Sequence, residues 1–478
     1  MMLHLLTAVC LLAAGCASAP PVAHPALDID LPEDWTTRDV PSGQLDVTWW
    51  EDFDDGGLAA AVDMALSQNY DLRITAARLE QAAADARAAE GGLQPTVQTT
   101  FNGSRRQQNF VGFPIPGGEG QVLSTVSTNY GISLDVSWEI DLWSRLRNTA
   151  RAALADLQAS AADLRAAQLS IAGQTTKAWF AIAEAQQQVD LSQETVRSFR
   201  SSAEQVQGRF EAGIRPALDL RLALLNLSDA EAQLQQRRQQ FDSATRQLEL
   251  LLGQYADGEF ETPAGLPEIT PDVPAGLPAD LVARRPDLVA AERELTAFLV
   301  RADVARTDLL PRLSLTGATG TATNGLRLLI DGDFGVWSLL GNIVAPLWQG
   351  GRLRAQVDRA EARGAEALAS YANAALTAYA EVETALAAED FLLERERHLA
   401  ESRLQARAAE RLAEERYRAG LETYITVLDS QRSAFNAESE LIGARRTRLE
   451  NRVDLYLALG GGFEQLEAPV QLADSEGQ

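Results

Sequence analysis

The feature that limits the fold most is length without interruption. Residues 143–208 and 351–417 contain no proline and one interior glycine each, Gly173 and Gly364. Read as helix, either run measures about 100 Å at 1.5 Å per residue, and helices of globular domains are seldom a third as long. The chain therefore builds something elongated. Hydrophobic residues make up 46% of the 478, aromatic ones only 6%, which suits long helices packed through Ala and Leu. Apolar positions recur every seven residues, at Leu220, Leu227, Leu234, Phe241 and Leu248, at Leu428, Phe435, Ile442, Leu449 and Tyr456, and, within the first long run, at Ala150, Leu157, Leu164, Ile171 and Ala178. These are coiled-coil seams, and their small members bring backbones close. No second, wide apolar face accompanies them, so an antiparallel coiled coil would satisfy the helices taken alone.

The two runs belong to two copies of one plan. "NYDLRITAARLEQAAADARAAEGGLQPTV" from Asn69 aligns with "RPDLVAAERELTAFLVRADVARTDLLPRL" from Arg285, Asp71 over Asp287 and Pro95 over Pro311. Further on, "IDLWSRLR" from Ile140 matches "APLWQGGRLR" from Ala345, and Gly213 falls over Gly420. Repeat 1 spans 58–262: a helix, strands at about 96–110 and 127–142, the long helix 143–208, a turn at 209–216 and a helix at 217–252. Repeat 2 spans 279–460: a helix over Ala279 to Leu310, strands at 312–323 and 334–344, the long helix 351–417, a turn at 418–423 and a helix at 424–459. Between them, residues 263–278 carry five prolines and read as an extended connector. Residues 461–478 form a tail.

Where the long helices pause, the period changes to two. From Asn129 to Leu142, Tyr130, Ile132, Leu134, Val136, Trp138 and Ile140 share one face, while Ser133, Asp135, Ser137 and Glu139 share the other. That is a strand with an apolar and a wet side. A half-buried sheet in a soluble domain would show the same alternation, so one strand decides little. The N-terminus adds weight. "MMLHLLTAVCLLAAGCASAP" is an apolar run ending in small residues, too short to span a bilayer and shaped like a secretory signal over residues 1–15. Its end, Ala13-Ala14-Gly15-Cys16, resembles the bacterial lipobox, with Leu12 one place early and no Lys or Arg before it. In that reading Cys16 carries lipid at the head of a lipid-anchored extension, 16–57, and Ala17 directs the chain to the outer membrane. Both cysteines, Cys10 and Cys16, lie in the first sixteen residues, so no disulfide is expected in the body. No later segment reaches the roughly 18 apolar residues of a membrane helix, so a membrane-spanning part is built from strands. Four strands suit tilted bilayer crossings but cannot close a barrel, so several chains contribute to one.

These residues together, with "WEIDLWSRLR", "LVARRPDLVAAERELTAF", "PLWQGGRLRAQV" and "RYRAGLETYITVLDSQRSAF", resemble the TolC-type outer-membrane efflux channels, and most their lipoprotein branch, the NodT-like outer membrane factors of RND-type tripartite pumps. The resemblance covers essentially the mature chain. It implies a mainly α fold with a membrane β-barrel: a homotrimer whose chains share one 12-stranded β-barrel in the outer membrane and a 12-helix periplasmic α-barrel. It implies an exit duct, lipid-anchored in the bacterial outer membrane. The duct conducts drugs or other small toxic compounds from a periplasmic adaptor (a membrane fusion protein) and an inner-membrane RND-type pump to the outside. Type I protein secretion or metal-ion efflux through the same kind of duct is the alternative.

The resemblance also assigns the repeated turns. In "RFEAGIRPALDL" and "RYRAGLETYITVLDSQR" each Arg-aromatic-x-Ala-Gly reverses a coiled coil, and the glycine lets the chain leave the helix left-handed. Arg209, Phe210, Gly213, Arg416, Tyr417 and Gly420 then form the periplasmic tip that meets the adaptor, although the side chains would also serve merely to cap and staple the turn. Ile425, Asp429 and Arg432 match the family's closing motif and imply a constriction of the resting channel; by themselves Asp429 and Arg432 are an i, i+3 surface ion pair. The places equivalent to Asp429 and Arg432 in repeat 1 are Leu222 and Leu225, expected in the coiled-coil packing.

A net charge of -25 argues against nucleic acid or an anionic lipid surface as the main partner. Only His4, His24 and His398 occur, with no zinc-protease pair, phosphate loop or nucleophile elbow, so no catalytic residue, metal or cofactor is expected.

Overall fold

The computed structural model describes residues 35–37, 45–110, 122–260, 263, 265–269, 273–274, 278 and 281–461. The signal 1–15, Cys16, part of the connector 263–278 and the tail beyond 461 lie outside the described residues. A short turn, Trp49–Phe53, leads into α1 (Gly56–Gln68) and α2 (Tyr70–Gly91). Strands β1 (Thr96–Phe110) and β2 (Leu123–Ile140) follow, then α3 (Arg145–Glu211) and α4 (Ala217–Leu251). The second copy runs α5 (Leu281–Arg284), α6 (Pro286–Thr307), β3 (Arg312–Thr323), β4 (Gly335–Val344), α7 (Arg352–Arg418) and α8 (Tyr424–Ala458). The matched lengths of the copies are visible here: α3 and α7 have 67 residues each, α4 and α8 have 35.

Several boundaries differ from the sequence reading, each for a local reason. The first long helix begins at Arg145, not at residue 143, because Ser144 is left-handed (φ 59°) and the Asp141 carboxylate accepts from the Leu146 and Arg147 N–H groups as a cap. Strand β2 starts at Leu123 rather than 127, since its pairing with β1 continues to Phe110, and it stops at Ile140 rather than 142. Ala279 to Leu310 is not one helix. It breaks at Arg285, which precedes Pro286 and is steered out of helical geometry by the proline ring. Both turns are shorter than expected, as α3 continues through Glu211 and α7 through Arg418. Finally, the extension 16–57 is not merely an anchor, because its last part enters the core.

The described residues fall into two units. One, within Leu27–Leu79, Ala159–Glu292 and Ser370–Gln478, is helical. Its aromatic centre is Trp49, Trp50, Phe53, Phe180 and Tyr456, with Trp49 stacked on Tyr456 at 5.0 Å between ring centroids. The Tyr456 hydroxyl donates to Asp52, and the Trp179 indole donates to Asp55, which also caps α1. Thr36 and Thr37 each donate through N–H and hydroxyl to Glu383 on α7. Burial opposes charge there, but these hydrogen bonds outweigh it and hold the Glu383 carboxyl below the ordinary range. Farther along, the seven-residue seams pack as expected: Leu234, Leu428 and Phe435 are buried, with Leu220, Leu227 and Ile442 against them.

The other unit, within Glu80–Gln158 and Arg293–Ala369, holds one antiparallel sheet in the order β1-β2-β3-β4. Its register tests the alternation read from the sequence. Val97, Thr99 and Phe101 lie opposite Val136, Leu134 and Ile132; these lie opposite Gly317, Thr319 and Thr321, and the same row crosses β4 at Leu339 and Trp337. This face is apolar on β2 and at the outer strands, with Gly and Thr on β3 between them, and many of its large side chains are exposed, Trp337 at 81% and Leu339 at 66%. On β2 this face runs from Tyr130 to Ile140, about 33 Å of strand and so about 25 Å of height at the usual tilt, the thickness of an outer-membrane hydrocarbon band. The strands approach closely at Gly320, where a Cβ would lie 2.0 Å from the Ile132 carbonyl oxygen. No described helix is long and apolar enough to cross a membrane.

Candidate functional site

The repeated turns close in the same way. At the first, the Gly213 N–H donates to Phe210 O and the Ile214 N–H to Arg209 O; at the second, Gly420 donates to Tyr417 O and Leu421 to Arg416 O. This is the Schellman arrangement, with Gly213 at φ +71° and Gly420 at φ +75°. A Cβ at either glycine would touch nothing within 4 Å, so backbone conformation rather than space demands glycine.

The two turns are locked to each other. The Arg209 guanidinium donates to the carbonyls of Tyr417 (3.2 Å) and Arg418 (3.3 Å) and lies 4.7 Å above the Tyr417 ring, which Arg215 approaches to 4.9 Å. Tyr417 and Tyr424 are buried with ring centroids 5.6 Å apart, and burial pushes the Tyr424 phenol far up. Arg416 pairs with Glu422 at 3.6 Å. Hydrogen bonds from the Thr423 N–H and the Thr426 hydroxyl, helped by Arg416, hold Glu422 below the ordinary carboxylate range. Its support of the turn is therefore complete above that range and lost as pH falls through the lowered value. Arg209, Arg416 and Tyr417 are thus engaged within the chain. Beside exposed charged side chains, the turns leave apolar ones uncovered: Phe210, Ile214 and Leu218 at the first, Leu421 and Ile425 at the second, Ile214 and Leu421 each being 68% exposed.

Just beyond lies the group singled out for closure. Ile425 and Asp429 are exposed on α8, and among the described residues no ion pair joins Asp429 to Arg432. Arg432 turns instead to α4, where its Nε and Nη2 donate to the Asn226 Oδ1 at 3.1 and 2.6 Å. Asn226 is buried, 3% exposed, and its own amide is fixed by donation to Leu222 O at 2.6 Å. The pair faces a groove of about 390 Å³ lined also by Ser192, Asp229, Arg237 and Phe435. Leu225, expected in the packing, is 53% exposed, because Asn226 takes the inward position next to it. Asn226 escapes sequence reasoning: its partner is 206 residues away and a lone Asn in a helix carries no local signal. Among the described residues no cluster of His, Cys, Asp and Glu is arranged to hold a metal ion.

The architecture has counterparts in known proteins. The model of the family described as "Outer membrane efflux protein" matches residues 61–254 and 277–461. Outer membrane protein OprJ of Pseudomonas aeruginosa is 32% identical over 455 residues, 94% of each chain. The pyoverdine export outer membrane protein OpmQ of Pseudomonas putida is 32% identical over 467 residues, 96% of each. The crystal structure of the CmeC outer membrane channel of Campylobacter jejuni superposes with a TM-score of 0.88 at 27% identity, covering 95% of this chain and 97% of that one. By sequence and by fold the chain belongs to the outer membrane efflux protein family, channels of the bacterial outer membrane and not enzymes.

Proposed function

We propose that three copies of this chain form one outer-membrane exit duct, fed by a periplasmic adaptor and an inner-membrane RND-type pump, through which drugs and other small toxic compounds pass passively outward. The sheet carries this reading. It has one apolar and one polar face, and β1 and β4 are paired on one side only. An open strand edge is not tolerated in hydrocarbon, and four strands enclose no lumen. Three copies joined β4 to β1 remove every edge, turn the apolar face to lipid and leave the polar face to water. Relatives differ in cargo, pyoverdine for OpmQ, which fits a duct whose partner pump chooses the compound. The uncovered apolar residues of the turns supply a docking surface for the adaptor's helical hairpin, while Ile425, Asp429 and Arg432 from three chains form the resting constriction.

Deleting the gene should sensitise cells to several chemically unrelated drugs, and restoring the wild-type chain should reverse this. Unchanged susceptibility, with unchanged intracellular drug accumulation, would remove the efflux role. The lipid anchor has its own test, motivated by Gly15-Cys16-Ala17. Mature protein should begin at Cys16 with acyl chains attached, and Cys16→Ala should lose them while still assembling, since the barrel provides the main membrane hold. Intact-mass analysis showing an unmodified N-terminus at another residue would exclude lipidation.

A further inference from the structure

The polar face of the sheet is nearly free of charge, and its one uncompensated charge within the wall is central. The described strands carry five ionisable side chains of full charge: Arg105, Arg106, Asp135, Glu139 and Arg312. Arg105 shares the apolar face with Phe101, one register step beyond Tyr130. Glu139 is paired with Arg145 at 2.8 Å and Arg312 with Asp308 at 2.7 Å. Arg106 sits opposite Ser127 near the outer end, where the β3–β4 connection adds Arg327, Asp331 and Asp333 to a mouth of mixed sign. Asp135, opposite Gln98, lies eight positions deeper, about 26 Å along the strand. Its Oδ2 accepts from the Thr100 hydroxyl at 2.9 Å and the Ser133 hydroxyl at 3.0 Å. Hydroxyls orient a carboxylate and leave its charge uncompensated, and the same register row is completed by Gln98, Ala318 and Ser338, none of them charged.

We propose that Asp135 is a selectivity-determining residue of the duct: three Asp135 carboxylates, one per chain, ring the barrel lumen and favour passage of cations and cationic cargo over anions. This rests on the trimeric-duct reading, which turns the polar face inward. The mouth charges lie well over a Debye length away at physiological salt, about 8 Å, and do not cancel the ring. Because the lumen is wide, the preference should be strong near 10 mM salt, where the Debye length is about 30 Å, and vanish near 1 M, where it is about 3 Å.

The test is the reversal potential of the full-length protein in planar bilayers under a KCl gradient. It is measured in the wild type and in an Asp429→Ala/Arg432→Ala background that lacks the Asp429 carboxylates. In both, Asp135→Asn, which keeps an acceptor for the two hydroxyls, should lower the potassium-to-chloride permeability ratio at least twofold at about 10 mM salt, and Asp135→Lys should bring it below one. Equal reversal potentials for all three side chains at matched trimer yield would overturn the proposal and leave the duct standing. Absence of any current from the parent protein would overturn the duct and, with it, the ring.

Discussion

Channels carrying Asp429→Ala with Arg432→Ala are expected to conduct several-fold more current in planar bilayers than the wild type and to let large hydrophilic antibiotics leak into cells. The two hydrogen bonds that Arg432 donates to Asn226 tie α8 to α4 in every chain. A hydrogen bond from a charged donor contributes about 1.5–3 kcal/mol, so three latches would hold the proposed constriction by roughly 5–9 kcal/mol. Moving an equilibrium from 1:99 to 99:1 takes about 5.5 kcal/mol. Even with the lower figure, because the guanidinium is partly exposed to water, loss of the latch nearly inverts the population. Asn226→Ala should therefore open the channel with both gate charges still present, and Asn226→Asp, which replaces an amide oxygen by a carboxylate, should close it more firmly. Leu222→Ala, half-buried on the same stretch of α4, reports general damage. A double variant no leakier than Leu222→Ala would return Asp429 and Arg432 to the surface.

Adaptor docking should collapse when the apolar residues at the tip are replaced. Ile214→Asp with Leu421→Asp removes two exposed side chains whose burial against a partner would contribute about 1.5–3 kcal/mol each. Affinity for the adaptor should fall at least a hundredfold, and efflux with it, while membrane insertion is unaffected. Glycine variants separate shape from contact. Gly213→Val and Gly420→Val force a β-branched residue into left-handed backbone, a cost of about 1–3 kcal/mol. Asn, which visits that region more readily, should restore most of the function in Gly420→Asn. Binding and efflux at wild-type levels in both the Asp and Val variants would show that the tip is not the docking end.

How far the sequence speaks depends on the range of the interaction. Helix length, seven-residue seams and the strict alternation of Tyr130 to Ile140 are local patterns, and the structure shows all three. The break at Arg285 was local too, since Pro286 announces it. So were Gly253 and Gly460, which end α4 and α8 with the same Schellman bonds as Gly213 and Gly420. Two things were not local. Trp49, Trp50 and Phe53 read as part of an anchor because their partners, Phe180 and Tyr456, lie far along the chain. Asp429 and Arg432 read as a pair because they are three residues apart, whereas the fold offers Arg432 a buried amide on another helix. Long-range polar partners of this kind are fixed only when the helices are packed, which is why the turns at Gly213 and Gly420 were legible and the partner of Arg432 was not.

The central claim is that three chains close one barrel, and the mass of the purified particle tests it most directly. Native mass spectrometry of the detergent-solubilised protein should give a species of three chains, each close to the 51.7 kDa of the full sequence less any cleaved signal, stable after the detergent is stripped. A particle of one chain, folded and stable under the same conditions, would contradict the account, because its four strands would then have to satisfy both open edges alone.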